Sequence, residues 1–166
     1  MARPGVAKII QERVCAEVEG EFVLFLIGMR INTWWKVWAW APVAMAMPKM
    51  LIELAKQPDL GLLNARTHFG FPDIVVVQYW KNFEQLEAYA KSGAGAHLPA
   101  WRAFNKAVGS NGDVGIWHET YLIKPGQYET VYNNMPPFGL GRAGTLIPAQ
   151  GARQAARQRM AASLGV

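Results

Sequence analysis

The stretch Asp73–Trp80, followed at once by Asn82, leaves the chain little choice of fold. Asp73-Ile74-Val75-Val76-Val77-Gln78-Tyr79-Trp80 is rich in β-branched residues and turns polar and aromatic only at its end, which predicts a strand. Asn82 then caps a helix, with Gln85 three residues on to complete a capping box. Phe83, Leu86 and Ala90 repeat at helical spacing. This helix breaks at Gly93–Ala96, restarts at His97 and runs on through Trp101, Phe104 and Val108. A strand closing on Trp80 and a histidine at a helix break form the most informative arrangement in the chain.

Three further strands frame it. Glu21–Asn32 alternates, with Val23, Phe25, Ile27, Met29 and Ile31 on one apolar face. The other face (Phe22, Leu24, Leu26, Gly28, Arg30, Asn32) becomes small and polar toward its end, as when one face packs on helices and the other lines a cavity. Four tryptophans crowd Trp34–Trp40, either as a bulky plug or interface patch or as an aromatic wall for a flat ligand. Pro42 suits the first turn of a helix. Val43, Met47, Met50, Leu51 and Leu54 mark its apolar face, Pro48 should kink or restart it, and Gln57-Pro58-Asp59 ends it. Leu60–Phe69 and Val114–Ile123 read as the remaining strands.

The order β, α, β, β, α, β predicts an α+β chain of the ferredoxin-like type, with an antiparallel sheet whose helices lie on one face. The bare face needs cover. Two such sheets packed together close a dimeric α/β barrel, so a homodimer is expected. The domain spans residues 21–142. Residues 1–20 form an N-terminal arm or short helix, and 143–166 a C-terminal tail with a short helix at Ala152–Ala162.

Hydrophobic content is 51% against 17% charged, an apolar excess that points to a buried subunit interface, an enclosed apolar pocket, or both. The single cysteine, Cys15, allows no intrachain disulfide, and the start lacks the apolar run of a signal peptide, so a cytoplasmic location is expected. The run Val37–Pro48 is too short to span a bilayer, and no membrane partner is expected. The formal charge of +5 gathers at Arg153, Arg157 and Arg159, while other basic residues are scattered among acids; this suits no nucleic acid but is compatible with an anionic substrate.

Gly139-Leu140-Gly141-Arg142-Ala143-Gly144 matches a dinucleotide-loop pattern, but Pro136-Pro137 precedes it instead of a strand. None of the three serines sits in a nucleophile elbow. No two of His68, His97 and His118 stand at helical ligand spacing, so no metal site is expected. His118, beside Trp117, Glu119 and Tyr121, is either a hydrogen-bonded strand residue or a general base in a cavity. His97 is a helix cap, a cavity residue or a haem ligand. Arg30 either pairs with Glu119 or holds an anionic substrate.

Val77-Gln78-Tyr79-Trp80, Asn82–Tyr89 and His97 together resemble the antibiotic-biosynthesis-type monooxygenase superfamily. Gly28–Asn32 with Trp34-Trp35-Lys36, His97–Trp101, Gly115–Tyr121 and Asn133–Leu140 resemble the branch that includes the fumagillin-pathway monooxygenase. The resemblance implies a barrel dimer and an oxygenase needing no flavin or metal, in which a phenol or enol supplies the electrons. Residue type and strand position then give His118 as the base, with Arg30 and Asn32 as donors to the anion. An aromatic or polyketide-like substrate would lie among Trp35, Gln78, Trp80, His97, Trp101, Trp117, Glu119 and Tyr121. The superfamily also has haem-binding branches, the haem degraders and more distantly the aldoxime dehydratases. In the degraders a strand Trp and a helix His bracket the haem, and Trp80 and His97 resemble that pair in order. Haem, with His97 as its ligand, is the alternative, and a non-catalytic binding protein is a second.

Overall fold

The computed structural model describes residues 8–92, 97–107 and 109–164, without the side chains of His97, Ala100, Trp101 and Ala107. The elements are β1 (Val14–Glu17), β2 (Phe22–Ile31), α1 (Val37–Lys56), β3 (Leu62–Phe69), β4 (Asp73–Trp80), α2 (Phe83–Lys91), α3 (His97–Ala107), β5 (Val114–Ile123), α4 (Leu140–Ala143), β6 (Thr145–Pro148) and α5 (Ala156–Ala162). They form two compact units, Val23–Tyr121 and the joined ends Met1–Phe22 with Leu122–Val166.

The first unit holds a four-stranded sheet in the order β3-β4-β2-β5, with β4 antiparallel to both β2 and β3. With α1 joining β2 to β3, and α2 and α3 joining β4 to β5, this is the expected ferredoxin-like βαββαβ arrangement. The strand at β3 starts two residues later than expected because Pro58–Leu60 coils into a 3-10 turn.

The register sorts the side chains. Val23 faces Trp80, Phe25 faces Gln78 and Met29 faces Ile74 across β2 and β4. All six lie on the helix side. There Val23 and Trp80 bury against Leu54 of α1 and Leu86 and Tyr89 of α2. Met29, Ile31 and Val114 form a second cluster, with Trp40 and Val43 of α1 and Phe104 of α3 packed on it. The apolar face read in β2 is therefore the helix-packing face. Burying side chains of this size stabilises by about 1.5–3 kcal/mol each.

The second cluster also explains where α1 begins. The helix starts at Val37, ahead of Pro42, and runs through both prolines. Trp40 and Ala39 are drawn onto Met29 and Ile31, and the Trp40 indole donates to the Trp34 carbonyl at 2.9 Å, which closes the entry turn. The capping box at Asn82 is half made. Asn82 Oδ1 accepts from the Gln85 amide at 2.9 Å, but the Gln85 side chain donates to the Asp59 carbonyl instead of reaching back. Gly61 allows this: its φ is +93°, and a Cβ there would strike the Gln85 side chain.

On the opposite side of the sheet, Gly28 has a different task. A Cβ at Gly28 would come within 2.5 Å of the Trp117 indole, which lies across the strand from β5. Gly28→Ala is therefore expected to cost about 1–3 kcal/mol by overpacking. In a Trp117→Ala background most of that loss should vanish, as read from urea midpoints of the four chains.

The joined ends form the second unit. Residues expected as a short helix or arm instead include β1, which pairs antiparallel with β6, Cys15 opposite Ile147. The Tyr128–Arg142 stretch runs beside β1: Thr130 Oγ1 accepts from the Ala16 amide at 2.8 Å, and Tyr128 Oη from the Val18 amide at 3.0 Å. Gly144 of the dinucleotide-like pattern backs onto the Glu17 carbonyl, so its missing side chain serves packing. Burial pushes the Cys15 thiol up, against the pull of Arg153 and Arg159.

Candidate functional site

The candidate residues fall on both faces of the sheet. Gln78, Trp80 and His118 are on the helix side; Arg30, Trp117, Glu119 and Tyr121 are on the other. The assignment of β5 follows from two contacts. The His118 ring lies 5.7 Å from Phe25, a helix-side residue, whereas Trp117 covers Gly28 on the far side. Strand alternation then carries Glu119 and Tyr121 with Trp117. His97 and Trp101 lie on α3, and their side chains are outside the described residues.

Several expected roles are spent elsewhere. Arg30 pairs with Asp73 at 2.9 Å, not with Glu119, because the β2–β4 register sets Arg30 directly opposite Asp73. Asn32 donates through Nδ2 to the Gly112 carbonyl at 3.0 Å and so ties the loop before β5. Glu119 accepts from the Tyr121 hydroxyl at 2.7 Å, and this bond raises the Tyr121 pKa. Trp35 projects outward, edge-on to Trp34 at 5.9 Å. Trp80, expected as a cavity wall, is 1% exposed and sealed in the core, its indole donating to Gln78 Oε1 at 2.8 Å.

What does assemble is a row across the helix side: His118 on β5, Phe25 on β2 and Gln78 on β4. His118 is solvent-accessible. Gln78 is 4% exposed, its Oε1 fixed by Trp80 and its Nε2 set 3.9 Å from Met47 Sδ of α1. Fixing the oxygen orients the amide, so the NH₂ is held in place as a donor. The row thus offers a proton acceptor, an apolar ring and an oriented N–H group. Phe25 and Met47 were not singled out from the sequence. Phe25's signal was its place in the alternating face of β2, one strand over from Gln78.

Lys36 and Asp113 fix the end of the sheet where β5 begins. Lys36 Nζ reaches both Asp113 oxygens at 3.0 Å, and the Asp113 carbonyl accepts from the amides of Asn32 and Thr33. The lysine holds the Asp113 carboxyl below its ordinary range. A carboxyl depressed in the fold stabilises above its unfolded pKa and loses that contribution as pH falls through the folded value. Asp113→Asn is expected to lower the melting temperature at neutral pH and to converge with wild type in acid, which flattens the acid limb of the profile.

A recess of about 400 Å³ opens elsewhere, between the end of α1 and α2, lined by Glu53, Gln57, Asp59, Leu60, Gln85, Ala88, Tyr89 and Ser92. None of the candidate residues lines it. Among the described residues there is no group of three or more His, Cys, Asp or Glu side chains placed to hold a metal ion, and no helix long and apolar enough to cross a membrane.

Comparison with known proteins agrees with this architecture. The chain is 27% identical over 134 residues to monooxygenase af470 of Aspergillus fumigatus, a match covering 75% of this chain and 46% of that protein. An aldoxime dehydratase crystallised with butyraldoxime superposes with a TM-score of 0.66 at 16% identity, over 83% of this chain and 43% of the other. The chain therefore spans about half the length of either relative. Residues 22–140, which contain the sheet, its helices and the aromatic segment after β5, match the family model described as monooxygenase af470-like, and the chain belongs to that family.

Proposed function

We propose that the chain is a monooxygenase that oxidises an aromatic or polyketide-like, enolisable substrate without a bound cofactor. The observation that carries the reading is the row His118–Phe25–Gln78, an accessible imidazole beside an apolar ring and an oriented amide. His118 takes the proton of the phenol or enol, and Gln78 Nε2 exchanges its bond to Met47 Sδ for one to the resulting oxyanion as the Met47 side chain swings aside. The carbanion resonance form adds O₂ to give a peroxide anion, which takes the proton back from the His118 imidazolium and becomes a hydroperoxide. Loss of water from that hydroperoxide leaves a carbonyl, so one oxygen atom stays with the product and the other leaves as water. The substrate supplies all the electrons.

The haem reading fits less well. Trp80 would have to offer a face to the macrocycle, but it is 1% exposed among Val23, Leu54, Leu86 and Tyr89. The proposal also includes a homodimer. The side of the sheet away from the helices carries Leu24, Leu26, Val75 and Val77, which suits such a contact. A lone, buried, unreactive thiol suits a cytoplasmic setting.

The test is oxygen uptake by the purified protein with enolisable phenols under ¹⁸O₂. One labelled atom in the product, no Soret absorption, and a kcat reduced about 10²-fold or more in His118→Ala are expected. Uptake that requires added haem contradicts the proposal.

A further inference from the structure

The outer face of α1 is unusual for a surface helix. Trp38 is 73% exposed, Met45 61% and Ile52 57%. At 100° per residue these three fall within one narrow stripe, together with Pro42, Lys49 and Lys56. The stripe contains two lysines and no acid. It is continuous with Trp34 and Trp35 in the preceding turn, 61% and 60% exposed. The β3–β4 turn adds Phe69 and Phe71, 83% and 75% exposed, at the same end of the sheet, since the Pro72 carbonyl accepts from the Ile31 amide where β2 leads toward α1.

We propose that this face binds an anionic lipid surface, with α1 lying along the bilayer plane. The absence of a spanning segment is no obstacle, because a helix can lie in the interface without crossing it. The charges favour lipid over a second copy of the chain. Two α1 stripes packed together would bury Lys49 and Lys56 with no acid on either stripe to receive them, a costly arrangement. At a bilayer the same lysines extend along their stems to the phosphates while Met45 and Ile52 enter the acyl boundary. Tryptophan is favoured at that depth, where its ring is apolar and its N–H still finds polar partners. A surface-bound oxygenase would meet apolar substrates where they dissolve.

Flotation of the full chain with phosphatidylcholine vesicles, with and without phosphatidylglycerol, tests this. Binding to the anionic vesicles, weakened by salt, is expected, with a blue shift of tryptophan emission. Trp38→Glu and Met45→Glu should each lower the bound fraction about tenfold or more. Neither should change the melting temperature in lipid-free buffer. Lys49→Glu should weaken binding to anionic vesicles alone. No flotation, or flotation unaffected by both glutamate variants, overturns the proposal. So does a fall in the lipid-free sedimentation coefficient of Met45→Glu, which would make the face a protein contact.

Discussion

Trp80→Ala is expected to leave the Val23–Tyr121 unit unfolded or barely folded at room temperature. Trp80 packs against Val23, Leu54, Leu86 and Tyr89, and its removal leaves a cavity that costs about 3–5 kcal/mol. It also strands Gln78 Oε1, 4% exposed with its residue, at a further cost of about 1–3 kcal/mol. The sum is comparable to the whole stability of a typical domain, about 5–15 kcal/mol. Trp80→Phe separates the two parts, since it keeps most of the ring volume and loses the hydrogen bond. Urea unfolding followed by circular dichroism should place Trp80→Phe well between wild type and Trp80→Ala. Equal loss in the two variants would mean that the hydrogen bond, and not the packing, dominates.

The second large effect is expected in the other unit. Arg159 is 7% exposed on α5, with a guanidinium that donates to Glu129 through Nε at 2.6 Å and again through a terminal nitrogen. It also donates to the carbonyls of Arg153 at 3.0 Å and Gln154 at 2.6 Å. Arg159→Met leaves Glu129 half-buried without its cation and two carbonyls without a donor, at about 3–5 kcal/mol. The double variant Arg159→Met/Glu129→Leu should recover much of that loss, because no unpaired charge remains. Cleavage of the C-terminal segment by chymotrypsin reads the same order: fast in the single variant, slower in the double. A double variant as labile as the single would show that α5 is held by the bonds to the Arg153 and Gln154 carbonyls, which the methionine also removes.

The sheet was legible because Glu21–Asn32 alternates along its length, because Asp73–Trp80 is a run of β-branched residues, and because Asn82 marks where the second helix starts. The joined ends were not. β1 is four residues long, and its partner β6 lies about 130 positions away, beyond the reach of any local pattern. The start of α1 was misplaced because Pro42 is a strong local signal, whereas the packing of Trp40 on Met29 and Ile31 is tertiary. The site was legible only in its residue types. Which way β5 points depends on a one-residue register, and a slip exchanges His118 for Trp117 and Glu119. One clue was present: Gly28 in the middle of an otherwise bulky strand implies that something large lies over it, and that residue is Trp117. Pairing small with large across neighbouring strands would have sent His118 to the helix side.

The central claim is that the chemistry takes place on the helix side of the sheet, with His118 as base. Adjacent residues on β5 test it, because they point to opposite faces. Oxygen uptake should fall about 10²-fold or more in His118→Ala and stay near wild type in Glu119→Ala, both folded by circular dichroism. Loss in Glu119→Ala with activity kept in His118→Ala would contradict the account and move the reaction to the other face.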